Sequence, residues 1–199
     1  MRFAPTSFRP TFGRVLAVLT AIIVALALGG FVVTGDAVGL VRYTWGQLLV
    51  VALAFALFWL PRLDVEEHAV TVRNVFSTIV VPWPAIQLVD TKYALTLYTP
   101  EGRIAVWASP APNRYASANA AAGDARLASN GTGAVRPGDL LSTSSGAAAF
   151  LIRRHLEQLR DDGLLDAGYE PGSIRRSIHW PTIAVLAGLL VATVLGFVL

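Results

Sequence analysis

The 199-residue sequence contains no cysteine, and only 15% of its residues are charged, against 54% that are hydrophobic. Without cysteine the chain can form no disulfide framework, thiol nucleophile or thiolate metal site. The charged residues are unevenly distributed, and three long stretches contain no Asp, Glu, Lys, Arg or His. Ion and proton pathways normally need such groups inside the membrane. The sequence therefore does not predict a channel or a transporter.

The three uncharged stretches predict three transmembrane helices. A helix of about 20 apolar residues spans the bilayer core, with about 17 as the lower end. The second stretch reaches this length only if Tyr43 and Thr44 belong to it. A cleaved signal peptide is the alternative for the first stretch, but signal cores are shorter, about 7–15 residues. The expected helices cover residues 15–33, 43–60 and 180–199.

Small residues recur every four positions in the first and third predicted helices. Such stripes let helix backbones approach closely where lipid provides no hydrophobic driving force. Chance recurrence is the alternative, because alanine and glycine are common in apolar stretches. The candidate helix-packing residues are Ala17, Ala21, Ala25, Gly29, Ala184, Gly188, Ala192 and Gly196.

The arginines predict an orientation for a chain that is integral to the plasma membrane. Residues 1–14 form a basic juxtamembrane tail, whereas residues 61–179 contain twelve basic and twelve acidic residues. By the positive-inside rule, the N-terminus and the middle domain face the cytoplasm and the C-terminus lies at the outer face. The sequence pI of about 9.7 could suggest nucleic acid. A neutral middle domain without a basic cluster argues against such a partner.

Residues 61–109 predict five short strands. Alternating apolar residues and turn residues place them at 69–73, 76–81, 86–90, 95–99 and 104–108. Connections this short require antiparallel strands, as in a meander. Pro82, Trp83 and Pro84 predict a structural hinge between the second and third strands, because proline cannot donate a ladder hydrogen bond.

A polar segment and a helix follow the strands. Residues 110–143 are rich in Ala, Ser, Gly, Asn and Pro and predict a flexible loop. Residues 144–163 predict an amphipathic helix, capped by Ser144 and Ser145, which covers an open end or face of the sheet. A linker over 164–179 leads to the third membrane helix.

Several sequence features occur here together: a helical membrane anchor, the strand VTVRN, the tripeptide VPW, a PEGR hairpin and a final amphipathic helix. In this combination the chain resembles bacterial PH-like domain proteins, in particular actinobacterial membrane proteins described as PH domain-containing or as low molecular weight protein antigens. The resemblance covers residues 64–109 and, more loosely, 146–162. It implies an α+β fold in which a PH-like split barrel is capped by a C-terminal helix. The family has no agreed biochemical activity.

Candidate chemistry is sparse. The sequence has no G-x-S-x-G elbow, P-loop or G-x-G-x-x-G pattern, so no catalytic residue and no cofactor is predicted. Carboxylates beside His68 could bind a metal. However, Glu67 and His68 are neighbours in a strand and point to opposite faces, which favours a solvated strand start. Phosphoinositide-binding PH domains carry several basic residues in the loop between their first two strands, whereas here only Arg73 stands beside Asn74.

Two tryptophans are candidates for contact with a partner. Trp107 lies on the strand face opposite Ile104 and is the better candidate; with Arg73 and Asn74 it forms the candidate interaction surface. Trp83 is open to two interpretations, an aromatic anchor for a partner or, more commonly for such a residue, a large core side chain.

The sequence thus predicts a non-enzymatic, membrane-anchored module. Membrane lipids surround its anchor, and a protein partner or a second copy of the chain binds its PH-like domain. The alternative is a sensor for a small apolar or lipid ligand held inside the sheet. A filled interior lined by large apolar side chains favours the first function, whereas an open apolar cavity favours the second.

Overall fold

The computed structural model describes residues 5–92, 94–110, 143–165 and 168–198. The fold is α+β with antiparallel sheets, as predicted. The chain divides into two compact units: Met1–Arg9 with Arg62–Ser177, and Pro10–Pro61 with Ile178–Leu199. We call them the β unit and the helical unit. The predicted loop lies, apart from its end residues Pro110 and Thr143, outside the described residues.

The helical unit contains three helices, each long and apolar enough to cross a membrane. They are α1 (Thr11–Thr34), α2 (Ala37–Phe58) and α4 (Trp180–Val198), whereas α3 (Ser144–Asp161) belongs to the β unit. Helix α2 begins before the apolar stretch expected over 43–60. It does so because the Asp36 carboxylate accepts a hydrogen bond from Gly39 N at 2.8 Å and caps the first turn. Consequently Arg42 lies within the helix.

Glycine allows a close approach between α2 and α4. A Cβ atom at Gly196 would lie 3.1 Å from the carbonyl oxygen of Arg42. At Gly29 and Gly188, in contrast, a Cβ would meet nothing within 4 Å, and Ala17 is the buried member of the first stripe. The small-residue stripes therefore contact neighbouring helices of this unit only over part of their length.

The β unit consists of two antiparallel sheets, ordered β1-β2-β3-β4-β8 and β5-β6-β7. The strands are β1 (Thr6–Phe8), β2 (Arg62–Val65), β3 (Ala69–Arg73), β4 (Ser77–Pro82), β5 (Leu88–Asp90), β6 (Ala94–Thr99), β7 (Gly102–Pro110) and β8 (Arg175–Ile178). Strands β3 to β7 correspond to the five expected strands. Strands β1, β2 and β8 were not expected, since three or four residues are too few for an alternating pattern to stand out.

The hinge sequence is where the chain changes sheets. Strand β4 ends at Pro82, a short 3₁₀ helix covers Trp83–Ala85, and β5 then belongs to the second sheet. Pro82 lies opposite Ala69 in the ladder, and proline cannot donate to a further partner. The five strands therefore form parts of two sheets and not one uninterrupted meander.

One hydrophobic core is shared by both sheets and α3. The helix buries Ala148, Ala149, Ile152 and Leu156 in it. It is capped by Thr143, whose Oγ1 accepts a hydrogen bond from Gly146 N at 3.0 Å; the sequence placed the cap one residue later. The core therefore fixes α3 across the two sheets.

Candidate functional site

The interior of the β unit is filled by large apolar side chains. The six residues expected to line it are at most 9% exposed and belong to the shared core: Val70, Val72, Leu95, Leu97, Ile104 and Val106. Side chains of α3 complete the packing. Groups that could recognise another molecule must therefore be sought on the outer surface of this unit.

Trp83 belongs to this core. It is 2% exposed, and its indole Nε1 donates to the carbonyl oxygens of Glu66 at 3.2 Å and Glu67 at 3.0 Å. Its ring meets that of His155 edge to face, with centroids 4.6 Å apart. Trp83 thus joins the hinge to the β2–β3 turn and to α3. This environment fits the core interpretation of Trp83 rather than that of a partner anchor.

A half-open cleft of about 690 Å³ lies beside Trp83. Its walls are the β2–β3 turn, the hinge, and the outer side of α3 with the segment that follows this helix. The charged side chains on these walls are of both signs, Glu67 and Asp162 against Arg154. Such a mixture indicates no preference for an anionic or a cationic ligand, so the cleft has no assigned occupant.

Asn74 connects the β3–β4 turn to strand β7 of the other sheet. Its Nδ2 donates to Ala105 O at 2.9 Å, and its Oδ1 accepts from Trp107 N at 3.1 Å. The carboxamide thereby pairs with the backbone carbonyl of Ala105 and the backbone N–H of Trp107, as the backbone of a neighbouring strand would. The structure thus brings together two residues of the candidate interaction surface that the sequence predicts.

Exposed aromatic side chains lie on both sides of this connection. Trp107 is 50% exposed, and Phe76, two residues after Asn74 in the turn, is 47% exposed. Arg73 precedes the turn at the end of β3 and is half-buried. We call Arg73, Asn74, Phe76 and Trp107 the Trp107 surface. The sequence does not single out Phe76, because it is the first residue of the strand predicted over 76–81.

In the first sheet, an ion pair partly neutralises the positive charge near Arg73. Arg73 lies directly opposite Arg62 in the β2–β3 ladder. Arg62 Nε lies 2.6 Å from the carboxylate of Asp64, whose side chain is largely buried. This ion pair reduces the positive charge beside Arg73, so this end of β3 does not carry a cluster of uncompensated arginines.

Glu101 holds the segment that leads into β8. Its carboxylate, in the β6–β7 turn, accepts hydrogen bonds from the phenol of Tyr169 and from Gly172 N at 3.1 Å. The hydrogen bond to Glu101, some burial and the carboxylate charge raise the pKa of Tyr169 above its ordinary value of 10.0, against a smaller opposing effect of the Gly172 backbone. The contact is structural and indicates no reaction.

No catalytic arrangement emerges from the described residues. In the ranges that the structure describes, no group of three or more His, Asp or Glu side chains could hold a metal ion. His155 is buried against Trp83, whereas His68 is exposed.

The family comparison agrees with the geometry of the β unit. Residues 60–140 match the family model of the bacterial PH domain. This part of the chain is a bacterial PH domain. The domain predicted from the VTVRN, VPW and PEGR motifs is thereby confirmed, whereas membership of the narrower actinobacterial group stays a prediction. No curated protein and no solved structure matches the chain.

Proposed function

We propose that this protein is a non-enzymatic interaction module, anchored in the bacterial plasma membrane by α1, α2 and α4. Its PH domain binds a protein partner or a second copy of the chain. PH domains commonly bind lipids or proteins and are generally non-catalytic. The observation that carries the proposal is the close packing of large apolar side chains in the interior of the domain, as far as the structure describes it, because a domain packed in this way presents its outer surface to other molecules.

The Trp107 surface is the proposed contact site. Trp and Arg are the residues that most often dominate binding energy at protein interfaces. Trp107 is half exposed although its strand neighbours Val106 and Ala108 are fully buried, and the Asn74 hydrogen bond fixes its backbone. A rigid, partly exposed tryptophan loses little conformational freedom on binding. The alternative function, a sensor that holds an apolar ligand inside the sheet, receives no support from the packed core.

Crosslinking in native membranes tests the partner. A hot-spot side chain contributes at least about 2 kcal/mol, so at subsaturating partner concentration Trp107→Ala should reduce the crosslinked yield about 30-fold. The matched control is Phe150→Ala, because Phe150 is an aromatic residue of similar exposure, 41%, on α3. Equal losses with both variants would contradict the assigned surface. If the full chain enriched nothing above an anchor-only chain, the interaction function itself would be wrong.

The membrane anchor and its orientation need separate tests. An 18-residue window within each of the three helices has a mean hydropathy of 2.8, 1.6 and 2.3, in chain order, which supports integration into a bilayer. We infer from the arginine distribution that the N-terminus and the PH domain are cytoplasmic and that the C-terminus is at the outer face. Resistance to carbonate extraction should report integration. A reporter fused after Leu199 that proved cytoplasmic would overturn the orientation.

A further inference from the structure

A groove between α2 and α4 has the features of a lipid-binding site. Its volume is about 640 Å³, and its walls are largely apolar. Residues that line it include Val38, Val41, Arg42, Trp45, Leu195 and Gly196. Val38, Val41 and Leu195 are more than half exposed. On helices of membrane-spanning length, such side chains are expected to face hydrocarbon and not water.

Arg42 places a positive charge in this groove. Its Nη2 donates to Phe197 O at 3.3 Å, a carbonyl in the last turn of α4, where carbonyl groups lack partners within the helix. A guanidinium carries five N–H donors, and this bond uses one of them. The bond orients the guanidinium, and the planar fork of an arginine suits bidentate contact with a phosphate.

The position of Arg42 along α2 agrees with headgroup depth. Helix α2 begins at Ala37, so Arg42 lies about 7–8 Å along the axis from its start at 1.5 Å per residue. Trp45, less than one turn further, is of a type enriched at membrane interfaces. Ala192 lines the groove one turn before Gly196 on α4, so the groove extends from the charged end towards the apolar centre.

We propose that this groove binds one anionic phospholipid, whose phosphate contacts Arg42 and whose acyl chain lies along the groove that α2 and α4 line together. Two features select this occupant: a cation at one end of the groove and apolar walls along the rest. A zwitterionic lipid fills the same groove without a net charge to complement Arg42. The inference rests on the proposed membrane insertion of the helical unit.

The test uses the full chain reconstituted in vesicles of phosphatidylcholine and phosphatidylglycerol. After mild detergent extraction, native mass spectrometry measures the phosphatidylglycerol that stays bound. We expect the wild type to retain phosphatidylglycerol in preference to phosphatidylcholine. Arg42→Gln should reduce the retained phosphatidylglycerol about fivefold, the effect of one cation near the membrane surface, whereas Arg42→Lys should retain most of it.

A second variant distinguishes lipid binding in the groove from nonspecific attraction of anionic lipid to the charge of Arg42. Ala192→Phe fills the groove but leaves Arg42 in place, and it should also abolish the preference for phosphatidylglycerol. If only Arg42→Gln had an effect, or if neither variant did, the groove site would be wrong. Displacement of the lipid by free glycerol phosphate would assign the site to phosphate alone and overturn the lipid proposal.

The same preparation distinguishes this inference from the proposed function. Vesicles are washed with carbonate before extraction. A chain that washes off the vesicles contradicts both the membrane anchor and the lipid site. A chain that stays in the vesicles but shows no lipid preference contradicts the lipid site alone.

Discussion

Replacing Trp83 by phenylalanine tests whether the hinge tryptophan holds the PH domain together. Phenylalanine keeps an aromatic ring in the core but removes the indole N–H that reaches the carbonyls of Glu66 and Glu67. It also changes the edge-to-face contact with His155. We therefore expect the variant to fold and to be less stable than the wild type.

The magnitude follows from the contacts that are lost. One hydrogen bond contributes about 1 kcal/mol net, and an aromatic pair contributes about 0.5–1.5 kcal/mol beyond its buried area. Trp83→Phe should therefore lower the free energy of unfolding by about 1.5–2.5 kcal/mol. Trp83→Ala removes a side chain that is only 2% exposed and should cost about 3–5 kcal/mol. Total stabilities of about 5–15 kcal/mol make both losses measurable.

The assay is thermal unfolding of the full chain in detergent, followed by near-ultraviolet circular dichroism. The matched control is Trp107→Phe, since Trp107 is half exposed and exposed substitutions usually change stability by less than about 0.5 kcal/mol. For a domain of this size, each kcal/mol lowers Tm by about 3–6 °C. Trp83→Phe should melt several degrees below Trp107→Phe.

Equal melting temperatures for Trp83→Phe and Trp107→Phe would refute this reasoning. If Trp83→Phe also lost partner binding while its Tm stayed at the wild-type value, the interpretation of Trp83 as a partner anchor would have to replace the core interpretation. Trp83→Ala extends the test, because a core residue must show a larger loss with alanine than with phenylalanine.

Three further predictions concern the pair of Asn74 hydrogen bonds that joins the β3–β4 turn to β7, which we call the seam, the β6–β7 turn, and the helices. Asn74→Ala removes two hydrogen bonds to β7 and should destabilise the domain by about 1–2 kcal/mol, with faster amide hydrogen exchange at Trp107. The pKa of Tyr169 is raised, so the stabilising contact of its phenol with Glu101 is fully present below pH 10 and is lost as the pH rises through the folded-state pKa. Glu101→Gln should move this pKa back towards 10. Titration of tyrosinate absorbance measures the pKa, and Tyr169→Phe is the reference that identifies the signal of Tyr169. Gly196→Val should weaken helix association in detergent by about 1–3 kcal/mol, because its Cβ meets Arg42 O at 3.1 Å, whereas Gly188→Val, with open space around it, should change little.

Strands β3, β4 and β6 were predictable from the sequence because their residues alternate between apolar, buried positions and more exposed positions. In β6 the burial alternates through all six residues from Ala94 to Thr99, which is the pattern that the sequence displays. Strand β8, in contrast, is exposed at all four positions from Arg175 to Ile178. It is a strand only because it pairs with a neighbour in the sheet, and its own residues carry no pattern that reveals this pairing.

The sequence predicts individual residues of the candidate surface, but it does not predict the hydrogen bonds that connect them. Alternation placed Trp107 on the outer face, and the tolerance of asparagine for turns placed Asn74 after β3. Their hydrogen bond joins residues 33 positions apart, from the β3–β4 turn of one sheet to strand β7 of the other. In a single meander, the β3–β4 turn and β7 would not be expected to meet in this way. The hydrogen bond between Asn74 and Trp107 could therefore be predicted only if the division into two sheets at Pro82 were known.

Asn74 and Trp107, which the sequence groups in one candidate surface, have different roles in the structure. The Asn74 carboxamide holds the backbone of β7 at Ala105 and Trp107, whereas the Trp107 side chain points outward. A loss of Asn74 should therefore lower both stability and partner binding, because the geometry of the Trp107 surface depends on the seam. A loss of the Trp107 side chain should lower partner binding alone. If Asn74→Ala were as unstable as expected but bound its partner with wild-type affinity, the contact site would have to lie elsewhere on the domain, and the cleft beside Trp83 would be the next surface to test.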